Sequence, residues 1–103
     1  MGGSGRTNGG NGGDSHDPYD ALDFPCRFEI KVMGRPSNRF RAVVGNVFTH
    51  HLHKSEDLLQ VLEKHSRNGR YVSMTYIIWA RYKEQIRGIY VDLSRCDSVL
   101  MTL

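Results

Sequence analysis

The Asn68-Gly69 pair, set between Arg67 and Arg70, constrains this chain more than any other feature. Asn-Gly is the strongest short hairpin signal, because both residues tolerate the positive φ that a tight strand-to-strand turn requires. The run after it, Tyr71 to Ala80, is rich in β-branched and aromatic residues and reads as a strand. A hairpin needs a second strand on the other side of its turn, and Leu59 to Ser66 is the one candidate. Taken alone, Ser55 to His65 reads differently: Leu58, Leu59, Val61, Leu62 and His65 fit a helix face behind a Ser55 cap. Local pattern and hairpin therefore conflict, and the hairpin assigns the segment to a strand.

The flanking segments complete an order. Phe28, Ile30 and Val32 alternate with Glu29, Lys31 and Met33, the period of a half-buried strand. After Gly34, Arg35 and Pro36, the residues Ser37 and Asn38 suit a helix cap. Phe40, Val43, Val44, Val47 and Phe48 then form one apolar helix face. Arg81 to Leu93 reads as a second helix with Ile86, Ile89, Tyr90 and Leu93 inward, and Val99, Met101 and Leu103 alternate as a last strand. The sequence of elements is βαββαβ, which predicts a ferredoxin-like α+β sandwich: a four-stranded antiparallel sheet, spatial order 4-1-3-2, with both helices on one face. Cys26 and Cys96 would then start neighbouring antiparallel strands at opposite ends, about 20 Å apart, too far for a disulfide. Free thiols are expected.

Seven of the eleven glycines fall in the first 13 residues of this 103-residue chain. Residues 1–19 are expected to form a disordered Gly-rich tail, because they have little to bury against their ordering entropy, and residues 20–103 a single domain. The segment up to Asp20 carries a net charge of −2; the rest has 13 basic and 8 acidic residues, a net of +5. The basic residues are scattered without a run of like charge, as on an ordinary solvated surface. No secretory signal is visible, and the longest apolar run, Tyr76 to Ala80, is far too short to cross a bilayer. A cytoplasmic protein without membrane contact is the expectation.

No enzyme signature is present: no P-loop, nucleophile elbow, His-Glu-x-x-His or paired acids, so the chain reads as a non-enzyme without a cofactor. His50, His51 and His53 invite a metal reading, but on a helix His51 points about 100° from the face shared by the other two. Two imidazoles do not close a zinc site, whereas a helix C-terminus favours histidine through its dipole. No metal site is expected. RNA-recognition modules share the βαββαβ topology and stack bases on aromatics of strands 1 and 3. Here Tyr71 and Trp79 lie on the open face of strand 3, but strand 1 offers only Arg27, Glu29, Lys31 and Met33, and the RNP1 consensus is missing. An RNA-binding module therefore remains the alternative function, and nucleic acid is not the expected partner.

Two surfaces are predicted to act. Ile77 and Trp79, with Tyr71, form an apolar patch on the uncovered sheet face, suited to self-association or a protein partner. The turn from Gly34 through Arg35 to Asn38 leads into a helix N-terminus, where Arg35 and Arg39 are placed to assist a carboxylate. Ordinary turn and cap roles are the simpler account of those residues.

Asp23-Phe24-Pro25, Lys31-Val32-Met33-Gly34, Asn68-Gly69-Arg70-Tyr71-Val72-Ser73 and the closing Val-x-Met-x-Leu strand together resemble the YbeD-like family of small bacterial proteins of unknown function. The similarity covers nearly all of Asp23 to Leu103; the Gly-rich start and a longer Leu52 to Arg67 segment depart from it. The resemblance implies a fold like that of the amino-acid-binding ACT regulatory domains, a small regulatory or interaction module that senses a metabolite, and a link to lipoate metabolism. It supplies no catalytic residue.

Overall fold

The computed structural model describes residues 17–103. The chain folds as β1 (Cys26–Gly34), α1 (Asn38–His51), β2 (Leu58–His65), β3 (Val72–Ala80), α2 (Lys83–Ser94) and β4 (Val99–Thr102), with 3-10 turns at Pro18–Ala21 and Ser55–Asp57. This is the predicted βαββαβ order. The sheet runs β2-β3-β1-β4, every pairing antiparallel, which is the predicted 4-1-3-2 arrangement.

The hairpin signal and the helical periodicity of Ser55 to His65 are resolved in favour of pairing. Val61 lies opposite Tyr76, Leu62 opposite Thr75 and His65 opposite Val72. Only Ser55–Asp57 keeps a helical turn. The turn itself is longer than a two-residue Asn-Gly link. Ser66 N–H donates to the Tyr71 carbonyl at 2.9 Å, leaving four residues between them. Asn68 contributes its side chain, whose oxygen accepts from Arg70 N–H and the Ser66 hydroxyl, and Gly69 alone takes a positive φ, +74°.

Helix α1 starts where its cap allows. The Ser37 hydroxyl accepts from Phe40 N–H at 2.9 Å, satisfying one donor of the first turn. The helix then buries Phe40, Val44 and Phe48 against the sheet, and Phe48 stacks on Tyr76 with ring centroids 4.0 Å apart. Helix α2 buries Ile86, Ile89 and Leu93. Together with Ile30, Val32, Val72, Met74, Ile78 and Ala80 these side chains form one core between the helices and the inner sheet face. Buried Gln85 ties the helices together: its amide donates to the His51 carbonyl at 2.8 Å and its oxygen accepts from Arg81 N–H at 2.8 Å. Both cysteines are free thiols.

Packing contacts are already present before the expected boundary at Asp20. Tyr19 packs edge-on against Phe28, with the Arg87 guanidinium 5.9 Å from its ring. Asp17 pairs with Arg87, and Lys83 reaches Asp20 at 2.6 Å. Asp17 to Tyr19 therefore belong to the packed domain, with Tyr19 adding apolar area at the core edge. The rest of the expected tail lies outside the described residues.

Candidate functional site

The predicted turn site divides on inspection. Gly34 is buried, and a Cβ there would run into the Phe40 ring and stand 2.7 Å from the Ser98 carbonyl oxygen. Its role is close packing between β1, α1 and the approach to β4. Arg35 turns to the open side, its guanidinium 5.8 Å from the centre of the Tyr71 ring. Asn38 and Arg39 are exposed in the first helical turn, and the cap of that turn is supplied by Ser37. The structure thus brings Arg35 to Tyr71, joining one residue of each predicted surface, and leaves Asn38 and Arg39 on the helix.

On the open face, β3 carries Ser73, Thr75, Ile77 and Trp79, facing Met33, Lys31, Glu29 and Arg27 of β1 in register. Tyr71 and Trp79 are half-buried. Ile77 departs from expectation: it is only 4 % exposed. It sits on a central strand, opposite Glu29 of β1 and Gln60 of β2 in register. At that exposure it offers almost no contact area. The face also lacks aromatics on adjacent strands, the arrangement that stacks bases in RNA-recognition modules.

Exposed apolar area lies elsewhere. Strand β2 forms an edge of the sheet, and Leu59, Val61 and Leu62 are 47 %, 39 % and 47 % exposed. The opposite edge, at β4, exposes Leu100, Met101 and Leu103. Sequence reasoning missed both edges. The signal was present, because Leu59 to Leu62 is apolar on both faces of a strand, but only the strand order shows that, among the described residues, β2 lies at the sheet edge.

The charged groups are largely used in holding the fold. Asp57, 2 % exposed, takes a bidentate contact from Arg81 at 2.9 and 3.1 Å, which holds its carboxyl below the usual range. Arg41 makes a similar fork on Glu63, and with His65 beside it the Glu63 carboxyl is pushed down to about 2. The histidine trio diverges: His51 meets Asp92 at 2.6 Å and His53 meets the Tyr82 hydroxyl at 3.1 Å. Asp57, a carboxylate close to them in sequence, is committed to Arg81. Among the described residues no group of three or more His, Cys, Asp and Glu side chains is placed to share a metal ion.

With the geometry defined, comparison with known proteins places the chain. A family model described as a protein of unknown function (DUF493) matches residues 20–103. The chain belongs to this family. A UPF0250 protein of Hahella chejuensis is 32 % identical over 90 residues, covering 87 % of this chain and 98 % of the relative. One from Ectopseudomonas mendocina is 35 % identical over 83 residues, covering 80 % and 89 %. These relatives bear out the resemblance to the YbeD-like bacterial family. Among solved structures, protein HP0495 of H. pylori superposes with a TM-score of 0.60 at 18 % identity, covering 86 % of this chain and 97 % of that one. The ACT domain from GTP pyrophosphokinase of Chlorobium tepidum superposes at 0.57 with 10 % identity, covering 75 % and 84 %. Likeness at such identity shows the fold, which is ACT-like. Among the described residues no helix is long and apolar enough to cross a membrane.

Proposed function

We propose that this DUF493 chain is a non-catalytic regulatory module that works as a pair, joining a second copy edge to edge through β2. The observation that carries this reading is the exposed apolar run Leu59, Val61, Leu62 on an edge strand eight residues long that, among the described residues, pairs on one side with β3. Such an edge presents a row of free backbone donors and acceptors and is a template for another strand. A two-fold pairing is self-complementary and closes, whereas β2 against β4 would propagate.

The sequence of β2 selects the register. In an antiparallel pair directly opposed residues share a face, so a two-fold axis normal to the sheet passes through a residue. An axis at Glu63 or Lys64 would oppose like charges. An axis at Leu62 opposes Leu62 to its own copy on the open face. It sets Gln60 against Lys64 and Val61 against Glu63. The result is a continuous eight-stranded sheet, all four helices on one side. Regulation in this reading acts on the paired form through a metabolite, and the family resemblance would put that metabolite in lipoate metabolism, in the cytoplasm.

Sedimentation equilibrium tests the pairing. The expected outcome is a dimer that Leu62→Lys converts to a folded monomer, by opposing two lysines at the axis, while Val91→Lys on exposed α2 leaves it intact. A wild-type chain that stays monomeric at about 0.1 mM defeats the proposal.

A further inference from the structure

At the Tyr71 end of the open face the sheet surface dips into a groove of about 290 Å³. Met33, Tyr71, Ser73 and Leu103 floor it, and Lys31 and Lys64 stand on opposite sides. The register explains the arrangement. Met33 of β1 and Lys64 of β2 both lie opposite Ser73 of β3, and Lys31 sits one step along the same face, opposite Thr75. The two lysine Cα atoms are therefore separated by two strand spacings and two residues, about 11–12 Å. Two ammonium groups on flexible stems can converge on one anion from that distance.

We propose that this groove binds a small amphipathic carboxylate, its apolar part on Met33, Tyr71 and Leu103 and its charged head between Lys31 and Lys64. Three observations converge. The floor is mostly apolar, as in small-molecule sites. Among the described residues neither lysine has an ion-pair partner, whereas Glu63, Asp57 and Asp92 already have theirs. The Leu103 oxygen, at the groove, accepts from Lys31 N–H at 3.1 Å and the Tyr90 hydroxyl at 3.2 Å. Glu29 is the one acid on the same β1 face, two residues from Lys31 and opposite Ile77, beyond the groove. Arg35 lies outside the groove lining, its guanidinium 5.8 Å from the centre of the Tyr71 ring. The volume is at the lower limit of ligand sites, which fits a compact acid and not a peptide. This site lies apart from the α1 N-terminus and does not depend on the β2 pairing.

Titration of the full chain with 3-phenylpropionate, followed by amide NMR, tests the proposal, with neutral 3-phenylpropionamide as the matched control. Saturable shifts are expected at Met33, Ser73 and Leu103, absent or much weaker for the amide. Lys31→Gln and Lys64→Gln should each weaken binding about fivefold, the effect of losing one exposed charge contact, while Lys54→Gln leaves it unchanged. Equal binding of acid and amide overturns the proposal. So do shifts centred elsewhere, no saturation by about 10 mM, or occupation of the groove by an acidic peptide but not by phenylpropionate.

Discussion

Gly34 shows how a single residue can read as a ligand contact in sequence and serve packing in structure. Its place before a helix suggested a carboxylate cradle, yet the position is filled by Phe40 and the Ser98 carbonyl. Gly34→Ala is expected to cost about 1–3 kcal/mol, because an aromatic ring and a backbone oxygen must both move to admit one methyl group. Urea denaturation of the variant checks this; an unchanged midpoint would mean that α1 can shift outward freely. Ile77 teaches the complementary lesson. Its strand position put it on the open face, correctly, but its burial depends on its surroundings in space, on a strand flanked by β1 and β2. Gln85 was silent in sequence, a polar residue in the first turn of a helix. The structure makes it the bridge between α1 and α2, buried and bonded at both ends of its amide.

At the scale of elements, β2 is the instructive case. Its side chains favour a helix by spacing, and its backbone becomes a strand because the hairpin delivers it to β3, where alternate residues gain ladder bonds. Helix α1 holds it there through Arg41, which grips Glu63 on the inner face. This tie is pH-dependent, and its sign follows from the lowered carboxyl. Glu63 ionises at 4.5 when unpaired and at about 2 when folded. Its stabilisation is therefore complete above pH 4.5 and is lost as the pH falls through that value toward about 2. Asp57 beside Arg81 and Asp92 beside His51 are lowered as well, so all three act in the same direction. Urea midpoints measured against pH should fall across this acid window, and Arg41→Met should flatten the fall. A profile in Arg41→Met parallel to that of the wild type would remove Glu63 from the account.

The described residues form one sandwich, and the segment before β1 packs against it. Tyr19 joins the core edge through Phe28 and Arg87, so Tyr19→Ala should lower stability by about 1 kcal/mol, the value of a lost aromatic pair and its buried area. A thermal melt that did not move would return the boundary to Asp20. The sequence by itself determined the element order, the antiparallel sheet, the inner faces of both helices and the free cysteines. Those follow from local periodicity, turn chemistry and the geometry of strands, all of which are written within a few residues of each position. It did not determine which surfaces remain exposed. That the apolar area is greatest at the two sheet edges, that Ile77 is covered, that Asp57 and Glu63 are taken by arginines, and that Lys31 and Lys64 flank one groove all depend on side chains brought together from separate strands and helices. Only the tertiary structure decides such contacts, because burial and charge pairing are properties of neighbours in space and not of neighbours in the chain.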